Sequence, residues 1–200
     1  YGNLGIFWPP SIGKTFISMY VCTHLAPPHL IAVNGLTLVE QWMDRLRSHT
    51  DLKVGREAGN EVIVTTYQSA VKKFGDMQFT TKIIDEVQHL PADHYVKLSF
   101  IKAQFSLGLT GTPWREDGRW EYIFALTGQP VGLDWQYFRN IGLLKSPVLH
   151  VWIVKNEASR EDMLDDLLQK EKKTIIFCDS ISVGERLAAK LKVPFIHGAT

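Results

Sequence analysis

The sequence predicts an α/β fold, a parallel sheet with helices on both faces, and three observations lead there. Short apolar or β-branched runs alternate with stretches whose apolar residues recur at i, i+3 and i+4, the pattern of right-handed strand–helix–strand crossovers. The first apolar run, residues 4–7, passes through Trp8-Pro9-Pro10-Ser11-Ile12 into Gly13-Lys14-Thr15 and then into a periodic stretch, so strand, turn and helix follow in order. Two carboxylates, Asp85 and Glu86, end another apolar run, at the strand end where open α/β sheets gather ligands.

The elements are expected as follows. A first helix runs over residues 14–24 and is broken by Pro27-Pro28; residues 29–33 form an apolar strand that Asn34-Gly35 turns into a second helix, residues 36–49. That helix carries Leu36, Val39, Trp42, Met43 and Leu46 on one face. Residues 50–60 are polar and glycine-bearing, hence loop. Residues 62–67, rich in Val, Ile, Thr and Tyr, read as a third strand, with a helix from Gln68. Residues 82–86 read as a short buried strand, 94–100 as helix, 105–110 as a strand ended by Gly111-Thr112-Pro113, and 120–132 as helix and loop. These close a first domain, residues 1–140. Residues 141–200 read as a linker and the start of a second unit: strand 148–154, acidic helix 160–170, strand 174–178, helix 182–191 and strand 195–196.

Composition narrows the function classes. Hydrophobic residues make up 45% and charged residues 22% of the 200, a globular profile, and the formal net charge is only +1. Bulk charge therefore supplies no argument for nucleic-acid binding, which must come from a local patch. The two cysteines, Cys22 and Cys178, fall in apolar stretches and read as reduced core residues of an intracellular protein, cytoplasmic or, in a eukaryote, nuclear. Apolar runs are strand-sized, so no membrane span is expected. A start at Tyr1 and an end directly after an expected strand suggest a fragment.

Gly13-Lys14-Thr15 between strand and helix is the setting of a phosphate-binding loop. Backbone N–H groups at a helix N-terminus form an anion site. Ser11, Ile12 and Gly13 would line it, Lys14 would reach the outer phosphates, and the Thr15 hydroxyl would ligate Mg²⁺. The first glycine of the usual pattern falls on Trp8. An ordinary strand-to-helix turn is the alternative reading. Asp85 and Glu86 supply what a phosphate loop needs as partners: a carboxylate for Mg²⁺ and one to polarise the attacking water. A solvated acidic strand end is the alternative for that pair.

Asp85-Glu86-Val87-Gln88-His89 resembles the Asp-Glu-x-x-His box of superfamily 2 helicases and translocases, and further segments match that superfamily in order. Residues 34–42 resemble motif Ia, residues 64–69 a later DNA-facing motif, residues 109–113 motif III and residues 175–178 motif IV; residues 196–198 resemble the strand after it. Trp114-Arg115-Glu116-Asp117-Gly118 is similar to the Arg-Glu-Asp element of the XPB family, archaeal members included. The resemblance implies a RecA-like P-loop domain followed by the start of a second, with ATP and Mg²⁺ as cofactors and duplex and single-stranded DNA as partners. It also implies a repair nuclease or a transcription and repair complex as company.

Residue by residue, it implies catalytic roles for Lys14, Asp85 and Glu86, with Gln88 and His89 between nucleotide and motif III, and coupling through Thr110, Gly111 and Thr112. DNA contacts are implied at Asn34, Gly35, Thr66, Tyr67, Gln68, Arg115, Glu116, Asp117 and His197. The chain departs from the superfamily at Asn34-Gly35, where Pro-Thr is usual, and at Ser11, where glycine is usual. A glutamine element before residue 1 and an arginine-bearing motif VI after residue 200 are missing, so the chain alone is expected to be nearly inactive. Two other functions fit the same motifs: the motor subunit of a restriction or phage-defence system, and a degenerate ATP-binding scaffold for a DNA nuclease.

Overall fold

The computed structural model describes residues 2–197 apart from 93, 113, 115, 116, 133, 146, 147, 154, 157–159, 161, 162, 165 and 169–173. It divides into two units, Tyr1–Ser146 and Pro147–Thr200.

In the first unit seven strands form one sheet with the order β3-β4-β2-β5-β6-β1-β7. They are β1 (Asn3–Ile6), β2 (His29–Val33), β3 (Val54–Gly55), β4 (Val62–Thr66), β5 (Gln78–Asp85), β6 (Lys102–Leu109) and β7 (Gln129–Val131). Every recorded pairing is parallel. The α/β class expected from the sequence is therefore the class observed.

Helices α1 (Lys14–His24) and α2 (Leu36–His49) cover one face, while α3 (Tyr67–Phe74) and α4 (Trp120–Thr127) cover the other; α5 (Trp135–Asn140) closes the unit. Successive strand residues point to opposite faces. Ile31, Val33, Val62, Val64 and Ile83 accordingly join the core under α1 and α2. Leu30, Ala32, Ile63 and Ile84 join the core under α3 and α4. β2 is buried along its whole length, which is why it reads as an unbroken apolar run. On α2 the buried residues are Val39, Trp42, Met43 and Leu46, while Leu36 is exposed.

Short 3₁₀ turns at Val87–His89 and Val96–Phe100 connect β5 to β6. Lys82, buried on β5, fixes the second turn by donating to the carbonyls of Leu98, Ser99 and Ile101 at 3.1, 3.0 and 2.9 Å. The expected helix over 94–100 is thus the tighter 3₁₀ form, and the expected loop over 50–60 contains β3. β7 lies where a loop was expected, at the sheet edge beside β1, a position that tolerates Pro130 because its missing N–H faces no ladder partner.

In the second unit, α6 (Ile181–Leu191) is capped by the Ser180 hydroxyl, which accepts from Val183 N at 3.3 Å. The described residues of 148–154, 174–178 and 195–196 are not in strands, contrary to the sequence reading. A strand exists only where a neighbour completes its hydrogen bonds, and Ile175, Phe177 and Ile196 remain exposed beside α6. Of the acidic helix, Arg160, Met163, Leu164, Asp166 and Leu167 are described and helical.

Candidate active site

The C-terminal ends of β1, β2, β4, β5 and β6 all lie on one edge of the sheet, because the strands are parallel. The loop from β1 to α1 turns on Ser11 (φ 65°) and Gly13 (φ 108°). An added Cβ at Gly13 would meet nothing within 4 Å, so backbone conformation rather than space calls for glycine there. Ser11 adopts the left-handed region with a Cβ, at a cost of about 1–2 kcal/mol. Among the described residues no side chain caps the start of α1. Its first N–H groups therefore stay available to an anion.

Lys14 bends back over this loop, its Nζ donating to the carbonyls of Trp8 at 2.9 Å and Pro9 at 3.1 Å. Burial lowers its pKa, while the charges of Glu86 and Asp85 oppose that shift, so the lysine and the carboxylate pair share one electrostatic environment. Thr15 Oγ1 accepts from Arg45 Nη1 of α2 at 3.2 Å.

Asp85 is held at both oxygens: Oδ2 accepts from Trp42 Nε1 at 2.7 Å, and Oδ1 from the Glu86 amide at 3.0 Å. Burial raises its pKa; the Trp42 donor works the other way. Glu86 sits in the left-handed region, φ 55° and ψ 47°, another strained non-glycine position. Its carboxylate accepts from Gln88 Nε2 at 2.8 Å, and its carbonyl from the His89 amide at 3.0 Å. His89 is half-buried, and no group of His, Cys, Asp and Glu able to hold a metal by itself occurs among the described residues.

Thr110 is buried; its Oγ1 accepts from the Thr112 amide at 2.9 Å, and its own amide donates to Ile6 O at the end of β1. Gly111 adjoins the phosphate-type loop, since a Cβ there would lie 3.2 Å from Pro10 Cδ. Thr110 and Gly111 thus pack against the end of β1 and the loop of Lys14.

The expected DNA-facing residues separate into groups. Asn34 and Gly35 follow β2 and Thr66 ends β4, with Val33 opposite Thr66 in register; Gln68 is the second residue of α3. A cavity of about 140 Å³ is lined by Thr66, Ser69, Arg56 and Lys73 together with Leu36 and Val39 of α2. Tyr67 is a correction: it is 1% exposed, and its hydroxyl points inward, donating to the Asp85 carbonyl with the Glu86 carbonyl 3.1 Å away, which leaves no surface for DNA. Arg115 and Glu116 lie outside the described residues. Asp117 is exposed, and its Oδ1 accepts from the Arg119 amide at 3.1 Å. His197 belongs to the second unit, with its ring 5.3 Å from that of Phe195.

Sequence reasoning missed Trp42, Arg45 and the inward role of Tyr67. Trp42 was assigned to the core from its helical spacing, and it is buried there; a buried indole N–H also needs an acceptor, which was the available signal.

The fold and geometry agree with comparisons to known proteins. A family model described as type III restriction enzyme, res subunit, matches residues 5–115. A putative DNA 3'-5' helicase Rad25 of Halobacterium salinarum is 28% identical over 96% of the chain and 38% of its own length. The DNA 3'-5' translocase XPB2 of Sulfurisphaera tokodaii is 29% identical over 94% of the chain and 46% of its own length. The chain therefore spans less than half of these curated relatives. Among solved structures, the SWI2/SNF2 ATPase core of Sulfolobus solfataricus in complex with dsDNA aligns with TM-score 0.54 at 18% identity, covering 63% of this chain and 31% of that one. The UvsW helicase of bacteriophage T4 aligns at 0.52 with 20% identity, covering 66% and 54%.

Proposed function

The chain belongs to the family described as type III restriction enzyme, res subunit, and from that premise we propose that it is part of an XPB-like, ATP-driven DNA helicase or translocase that opens duplex DNA in repair or transcription initiation. The observation that carries the reading is the uncapped start of α1, whose Lys14 bends over the loop and feels the charges of Glu86 and Asp85.

The residues present fit ATP and Mg²⁺. The free N–H groups at the start of α1 and the Lys14 ammonium suit a phosphate chain; Thr15 and Asp85 offer hard oxygen donors suited to Mg²⁺. Bound Mg²⁺ would neutralise the charge that develops on the phosphates. Lys14 would exchange the Trp8 and Pro9 carbonyls for phosphate oxygens. Glu86, aimed by Gln88, would accept the proton of the attacking water. Thr110, Gly111 and Thr112, packed on the nucleotide loop, would carry its state to the DNA contacts at Asn34, Gly35, Thr66 and Gln68.

The test is ATPase activity of the full-length protein with and without duplex DNA. Stimulation by DNA is expected in the wild type, with at least a 100-fold loss, on the order typical of a removed general base, in both Lys14→Ala and Glu86→Gln. Unchanged activity in both variants would sink the proposal. The family description itself favours a second reading, a restriction-system motor. An endonuclease co-purifying with the full-length protein would favour it.

A further inference from the structure

The strained backbone of Glu86 raises the question of what holds it. Its carboxylate is held by Gln88, within the same 3₁₀ turn. Among the described residues, a side chain from another element grips the main chain of the pair: Tyr67, the first residue of α3. Its hydroxyl donates to the carbonyl of Asp85 and lies 3.1 Å from that of Glu86. A phenol has a single hydrogen, and here two acceptors on consecutive residues flank the peptide that sets the direction of Glu86. The ring is fully packed, edge-on to Tyr95 at 5.2 Å and within the core under α3. Burial pushes the hydroxyl well above its ordinary range, so it remains a donor at every working pH. Packing alone would be served equally by phenylalanine; the hydroxyl is the part that touches the pair.

We propose that Tyr67 is a positioning residue for water activation: its hydroxyl fixes the Asp85–Glu86 peptide and thereby the aim of the Glu86 carboxylate. The proposal rests on the reading of Glu86 as the residue that polarises water. It gives the segment before α3 a second purpose, since Thr66, which caps that helix, and Gln68 beside it are on the candidate DNA face while Tyr67 points to the carboxylates.

The test compares three variants of the full-length protein in steady-state ATPase with saturating duplex DNA. Tyr67→Phe is expected to lower kcat between about 10- and 100-fold, the scale of a small misplacement of a catalytic group. KM for ATP and the calorimetric affinity for a non-hydrolysable ATP analogue with Mg²⁺ should stay within about twofold, a split that an unfolded variant would not give. Phe74→Leu, which removes packing from the same face of α3 without touching the pair, should lower Tm yet leave kcat unchanged. Glu86→Gln should be inactive. A Tyr67→Phe kcat within about twofold of wild type, with Glu86→Gln inactive, overturns the Tyr67 role alone; an equal kcat loss in Phe74→Leu overturns it as well. Activity retained in Glu86→Gln overturns the site reading and this proposal with it.

Discussion

Asp85 shows how an environment can both resist and preserve a charge. Burial raises its pKa, and the indole N–H of Trp42 partly restores the ionised form by donating to Oδ2. Trp42→Phe keeps most of the buried aromatic surface and deletes that donor, so the Asp85 carboxyl should protonate at higher pH than in the wild type. The acid limb of kcat/KM against pH is expected to move upward in the variant, while the alkaline limb stays in place. A limb that stays put would mean that Asp85 does not control turnover. At this scale much of the site was legible in the sequence: Gly13-Lys14-Thr15 and Asp85-Glu86 are contiguous and chemically distinctive. Trp42 and Tyr67 were not, because their acceptors lie 43 and 18 residues away in the chain and only the folded sheet brings them together.

At the scale of elements, Lys82 links β5 to the turn that precedes β6, and it does so at an electrostatic cost. Burial pushes its pKa down to about 8 from 10.5. Between those two values the unfolded chain binds more protons than the folded one, so this residue's contribution to stability rises with pH across that window and is constant below it. Urea unfolding at pH 8, 9 and 10 should show wild type gaining stability relative to Lys82→Met; parallel behaviour of the two would remove the residue from the linkage. Sequence periodicity identified β2 and the buried face of α2 because both bury enough apolar surface to leave a regular pattern. It missed β3 and β7, whose two and three residues are too short for one. It also placed strands at 174–178 and 195–196, where an apolar run satisfies the pattern and no neighbouring strand is present among the described residues. Gly184 of α6, by contrast, is explained by packing alone: a Cβ there would lie 2.3 Å from the Phe195 ring.

For the molecule as a whole, a net charge of +1 means that any grip on DNA must be local. The candidate contacts Asn34, Gly35, Thr66 and Gln68 are neutral; the cavity that Thr66 lines also carries the cations Arg56 and Lys73, which pair with Glu40 and Glu57. Their side chains are 42% and 50% exposed. Ion pairs so open to solvent are worth about 0–1 kcal/mol, little enough for a DNA phosphate to displace the carboxylate. Each phosphate neutralised releases counterions and adds about −0.9 to the slope of log K against log salt. In the full-length protein, Arg56→Ala and Lys73→Ala should each weaken duplex binding to a similar degree for all sequences and reduce that slope by about 1. Glu40→Ala and Glu57→Ala, which free the same cations, should strengthen binding at low salt. Slopes unaltered in both cation variants would move the DNA path away from the ends of β2 and β4.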